Sequence, residues 1–167
     1  AWVYQKPAPE PIPPRPLAPS RPTQSEPAPY SPIAGDANRY QRGRLIHRLL
    51  ELLPEVEHER RASFAQDILA REASELDAST LRDVVDATLK VLSAPVAAVA
   101  FAPGSRAEVP IVGRIGSFVV AGEVDRLAVT FDEVIVIDYK TNRNPPSDVG
   151  DVPAVYYRQM AAYRALL

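Results

Sequence analysis

Two aspartates thirteen positions apart, with a lysine two positions beyond the second, interrupt the most apolar stretch of this 167-residue chain. In "GEVDRLAVTFDEVIVIDYKTN", residues 122–142, Asp125 follows a turn at Gly122, and Asp138 and Lys140 close the run "VIVIDYK". A strand from Glu133 to Lys140 alternates its side chains, with Val134, Val136, Asp138 and Lys140 on one face and Ile135, Ile137 and Tyr139 on the other. One strand, a short turn and a returning strand can close the gap between Asp125 and Asp138, so the two carboxylates and the ammonium are expected to meet at one end of a sheet. Carboxylates that close repel, and one keeps its proton unless a cation sits between them. Oxygen ligands with room for water suit Mg²⁺ or Mn²⁺. A lysine beside such an ion orients an attacking water or steadies the negative charge of a phosphorane-like transition state. The same spacing also fits a weakly stabilising surface salt bridge between Asp138 and Lys140. Chemistry is favoured because these charges break strands that otherwise read as apolar, where a buried charge needs a reason.

The elements that must hold these groups are legible in the pattern. In "NRYQRGRLIHRLLELLP" the residues Leu45, Ile46, Leu49, Leu50, Leu52 and Leu53 fall on one broad arc and Pro54 ends the run, which predicts a buried helix with His47 at the rim of its apolar face. Residues 59–76 and 79–92 continue the helical period through Phe64, Ile68 and Leu69, then Leu81, Val84, Val85, Leu89 and Leu92. After Pro95, "AEVPIVGRI", "GSFVVAGEVDRLAVTF" and "EVIVIDYKT" read as antiparallel neighbouring strands. "VPAVYYRQMAAYRALL" returns to a helix with Tyr156, Met160, Tyr163 and Leu167 on one side. The order is helices, a strand meander, then a helix: an α/β (α+β) class with a central mixed sheet flanked by helices.

Eleven of the 18 prolines fall within residues 7–32. Prolines at that density sustain neither a helix nor a ladder, so residues 1–37 read as an extended linker and the folded domain as 38–167. The chain opens on Ala1 and closes inside an apparent helix, as a piece of something longer would. With no cysteine, disulfides, thiolate zinc sites and cysteine nucleophiles are excluded together. Any metal is held through oxygen and histidine. The net charge of −2 advertises no global nucleic-acid field, so phosphate contact falls to a local set such as Arg42, Arg44, Arg126, Lys140, Arg143 and Arg158. His58 and the run "EHERR" read as a solvated face. No apolar run approaches the ~20 residues of a bilayer span, and no charged segment leads an apolar one as in a signal peptide.

"GEVDRL" followed by "VIVIDYKT" resembles motifs II and III of the PD-(D/E)XK nuclease superfamily, in its RecB-like branch. That branch also carries a histidine in an early helix after a glycine, as in "RGRLIHRLLELLP" with Gly43 and His47, and a Gln-x-x-x-Tyr motif, as in "RQMAAY" with Gln159 and Tyr163. Together with "RAEVPIVG" and "YKTNRNPP", the chain from Arg42 to Leu167 is most similar to the C-terminal nuclease domain of AddA-type helicase-nuclease subunits. The resemblance implies a restriction-endonuclease-like core and a Mg²⁺- or Mn²⁺-dependent DNA exonuclease domain. It implies His47, Asp125, Asp138 and the carbonyl of Tyr139 as metal ligands, and Lys140 as the catalytic lysine beside Asp125 and Asp138. Gln159 and Tyr163 would contact substrate, the partners would be linear DNA ends and an AddB-type subunit, and the setting would be a bacterial cytoplasm and double-strand-break repair. No G-x-x-x-x-G-K-[ST] occurs, so a helicase motor would lie upstream. A nuclease-like fold that has lost catalysis and serves in binding or assembly is the alternative. Glu108 in "RAEVPI" stands either in the site or at a solvent-facing strand edge, and Gln159 with Tyr163 also fits a buried tyrosine and its polar neighbour.

Overall fold

A computed structural model of the chain describes residues 15–19, 37–142 and 144–167. The predicted helix before Pro54 is α1, Ala37–Leu52, and a 3-10 turn at Leu53–Glu55 follows it. Helix α2 spans Arg61–Glu72 and α3 spans Ala78–Leu92. The start of α3 is set by Asp77, whose carboxylate accepts from the backbone N–H groups of Ser79 and Thr80, both at 2.9 Å. That is how an N-cap satisfies the first orphan donors of a helix. Leu45, Ile46, Leu49, Leu50 and Leu53 pack with Leu69, Val84 and Val85 into the main core, so three amphipathic faces close on one another and hold α1 as a rigid platform.

The meander follows as β2 (Arg106–Ile115), β3 (Phe118–Val129) and β4 (Val134–Ile137), with both pairings antiparallel. Helix α4, Ala154–Leu166, then packs on the sheet through Tyr163, which meets Ile111 and Val124 in a second cluster. Tyr139 joins the helical core instead. The sheet therefore lies between α1–α3 and α4, and the mixed α/β architecture is as the sequence predicts.

Three details depart from the sequence reading. Arg15–Leu17, inside the stretch read as a linker, forms a short strand β1 that pairs in parallel with Phe118–Val120 of β3. The pairing is confined to three residues at one edge of β3, where a proline does least harm to a ladder. The strand expected to run to Lys140 ends at Ile137, since the N–H of Tyr139 donates to the Asp125 carboxylate at 2.6 Å rather than to a strand carbonyl. On α4 the buried line is Gln159 and Tyr163, whereas Leu167 is exposed. Most of the stretch read as a linker and Arg143, one of the expected phosphate contacts, lie outside the described residues.

Candidate active site

The strand register sets three acids in a row. Ala107 pairs with Arg126 and Val109 with Val124, which puts Glu108 opposite Asp125. Arg126 pairs with Ile137, so Asp138 follows opposite Asp125 on the other side. Glu108, Asp125 and Asp138 thus cross β2, β3 and the end of β4 in one line. Glu108 takes φ +48°, a left-handed conformation that is uncommon for a residue with a Cβ and concentrates at functional positions.

Around Asp125, His47 brings Nδ1 to 3.5 Å from Oδ1, while the Tyr139 N–H holds Oδ2. The hydrogen bond with Asp125 is the main reason that the His47 imidazole titrates above its ordinary value, against the opposing effect of burial. The His47 ring stands edge-on to Tyr139 at 5.6 Å, and Tyr139 stacks on Phe101 at 6.5 Å. Helix α1 thereby delivers its histidine to a fixed place over β3.

Asp138 belongs to a second group. Its side chain is 8% exposed and ion-paired with Lys140. The Lys140 Nζ also donates to Gln159 Oε1 at 3.0 Å, and Gln159 Nε2 donates to Asp138 Oδ1 at 2.6 Å. The ammonium lies 4.8 Å from the centre of the Tyr156 ring, a cation–π distance. Burial pushes the Asp138 carboxyl up, Lys140 pulls it down, and the charge of Asp125 pushes it up again. Glu108 is pushed up to about 7, first by burial, then by its hydrogen bond with Glu123 and the charge of Asp125. These carboxylates crowd one another with too little positive charge among them.

The row and its partners bring together the sequence-predicted residues His47, Asp125, Asp138, Tyr139 and Lys140, within β3 and just past the end of β4 rather than at one end of the sheet. Among the described residues, however, no three His, Asp or Glu side chains stand gathered as a ready-made metal cage. His47 with Asp125 and Asp138 with Lys140 form two separate pairs. The donor set, carboxylate oxygens with one imidazole, still fits a hard divalent ion by its chemistry.

A sequence profile of the PD-(D/E)XK nuclease superfamily matches residues 26–167. The chain belongs to this superfamily. No curated protein matches it. In this PD-(D/E)XK domain Asp125, Asp138 and Lys140 of the D…D-x-K pattern lie together, and Glu108 stands in register beside Asp125. Its signal in the sequence was only a glutamate at the head of a strand, and its register opposite Asp125 needed coordinates.

Two expectations need correction. Arg126 is not a phosphate contact: it is 2% exposed, with its guanidinium on Ser105 Oγ at 2.7 Å and over the Phe101 ring at 5.1 Å. The alternation that turns Asp125 toward the site turns its neighbour inward. Gln159 and Tyr163, at 4% and 0% exposed, have no open surface for a nucleic acid to touch. A cavity of about 770 Å³ between β4 and α4, lined by Val134, Val136, Met160 and Leu167 among others, contains none of the site residues. No helix of the described residues is long and apolar enough to cross a membrane.

Proposed function

We propose that this domain is a divalent-metal-dependent deoxyribonuclease that hydrolyses phosphodiester bonds. The observation that carries the reading is the row Glu108, Asp125 and Asp138 with Lys140 beside it, across three adjoining strands in a PD-(D/E)XK fold. Asp125, Asp138, His47 and the Tyr139 carbonyl would hold Mg²⁺ or Mn²⁺. When bound, that ion would supply Lewis-acid polarisation of a phosphoryl oxygen and of water.

The chain's own groups have separable tasks. An ammonium has three hydrogens, and Lys140 directs two donors to Asp138 and Gln159. The third serves a water or the phosphate oxygen on which negative charge develops, which is electrostatic stabilisation by a pre-placed donor. In the reaction the water oxygen bonds to phosphorus and gives up a proton, one ester P–O bond breaks, and the departing alkoxide takes up a proton in exchange. Asp138 keeps Lys140 in place beside the row. His47, packed against Tyr139, keeps Asp125 oriented from the α1 side.

The finer reading follows the motif resemblance. The domain would serve as the exonuclease end of an AddA-type helicase-nuclease in the bacterial cytoplasm, taking strands from linear double-strand ends and pairing with an AddB-type subunit. The test is cleavage of linear duplex DNA with Mg²⁺, with EDTA, and by Asp138→Ala. Degradation that needs the metal and fails in Asp138→Ala supports the proposal. DNA binding without cleavage at any divalent ion would favour the inactive binding module instead, a reading that rests on the two separate pairs.

A further inference from the structure

Gln159 and Tyr163 stand one turn apart on α4, and their hydrogen bonds form a closed account. Gln159 Oε1 accepts from Lys140 at 3.0 Å. Its Nε2 donates to Asp138 Oδ1 at 2.6 Å and to the Tyr163 hydroxyl at 3.1 Å. The hydroxyl donates onward to the Glu123 carbonyl at 2.8 Å. An amide nitrogen has two hydrogens and a phenol one, so each donor is spent once. Turning the amide over would face its oxygen to Asp138 and its NH₂ to Lys140, two repulsive contacts in a buried place. Only one orientation is therefore available.

The far end of the chain of bonds is anchored in the sheet. Glu123 lies between the part of β3 that pairs β1 and the part that pairs β4, and its register partner on β2 is Pro110, which has no N–H to offer. The Tyr163 hydroxyl supplies the donor. Its ring reaches the strand because residue 122 is glycine: a Cβ there would come within 3.0 Å of Tyr163 Cε1.

We propose that Gln159 and Tyr163 are positioning residues that set the Asp138–Lys140 pair and do not touch the substrate. The amide holds carboxylate and ammonium in one mutual arrangement, and the hydroxyl ties the amide to the backbone of β3. This rests on the nuclease reading above.

The test uses the full chain, linear duplex DNA and Mg²⁺, with kcat and KM measured apart and hydrogen exchange of the Gln159 side-chain amide followed by ¹⁵N NMR. Tyr163→Phe keeps the ring and removes the anchor. A displacement of order 1 Å at reacting groups costs about a hundredfold, so kcat should fall about 10- to 100-fold. KM should stay within about twofold, since no substrate contact is lost. The Gln159 amide protons should exchange faster than in the unaltered chain. Gln159→Glu has nearly the same size, turns an acceptor toward Asp138, and should lose kcat in the same way. If Tyr163→Phe fails to fold by its melting curve, that second variant gives the reading. A raised KM with unchanged kcat would show substrate contact and overturn the proposal, as would two variants with unaltered kinetics. If the unaltered chain and Asp138→Ala cleave alike, the nuclease reading has failed. The relay is then decided by amide exchange alone: faster exchange in Tyr163→Phe supports it, and unchanged exchange overturns it.

Discussion

Gly43 lies one turn before His47 on α1, and across from it is Thr141, the residue after Lys140. A Cβ at position 43 would fall 2.7 Å from Thr141 Oγ1, about 0.7 Å short of the 3.4 Å at which ordinary contact begins. Gly43→Ala therefore forces Thr141 to turn about a χ1 that its branching makes stiff, or pushes the Lys140–Thr141 segment away from α1. The second route separates the Asp138–Lys140 pair from the His47–Asp125 pair. Since a 1 Å misplacement costs about a hundredfold in rate, a shift of this size should lower the cleavage kcat by about 10- to 100-fold. Stability should change less. Alanine in place of glycine in a helix interior returns about 1 kcal/mol, while overpacking takes about 1–3 kcal/mol. Cleavage of linear DNA well below the melting temperature separates the two effects. Thr141→Ala removes the offending oxygen and leaves a Cβ at 3.7 Å, so the double variant should recover most of the lost rate. Full activity in Gly43→Ala, or a double variant no better than the single one, would refute the reasoning.

Lys140→Ala should abolish cleavage while calorimetry still finds divalent-ion binding, whereas Asp138→Ala should lose both. A plain surface ion pair would instead cost at most ~1 kcal/mol of stability in either variant. DNA affinity should fall steeply between low and physiological salt, since phosphate contacts are exchanged for counterions; a salt-insensitive titration would count against that role. Asp77→Ala should lower the melting temperature at pH 7 by removing the cap of α3. Hydrogen bonds from Ser79 and Thr80 hold the Asp77 carboxyl well below the usual carboxylate range. Its contribution is thus complete above the unfolded value of about 3.9 and lost as pH falls through the lower folded value. The difference between the two melting curves should accordingly narrow below about pH 4, and a constant difference would contradict the assignment.

How far the sequence could be read depended on what each feature rests upon. The helix before Pro54 and the three strands rest on apolar periodicity, a property of the chain alone, and all four are present, the last strand stopping at Ile137 short of Lys140. The pairing of Asp138 with Lys140 was equally legible, because two residues that close in the chain meet even where the strand has ended. Arg126 shows where local reading fails. Beside Asp125 it looked like a phosphate contact, yet the same alternation that exposes one neighbour buries the next, and it binds Ser105 instead. Glu108 needed the register with β3, which no local pattern specifies. Tyr163 was recognised as half of a motif, but its burial depends on Gly122, 41 positions earlier, and on how α4 crosses the sheet. The short β1 ran against composition, since a proline count describes a long ladder better than three residues at an edge.

The arrangement of charges gives the acidic row a reason to remain incomplete on its own. Glu108, Glu123, Asp125 and Asp138 act on one another, and they are met by the Lys140 ammonium on Asp138 and the His47 imidazole on Asp125. The protein answers this excess in two ways. Burial and neighbouring carboxylates raise Glu108 to about 7, and backbone and amide donors from Tyr139 and Gln159 take up oxygens of Asp125 and Asp138. Neither device supplies positive charge. A divalent cation would, and it would be worth more here than between exposed acids, because partly buried charges are poorly screened. Lys140 fits the same logic from the other side: as the cation fixed nearest Asp138, it is held where negative charge is already concentrated. That is where a phosphate in reaction would add more.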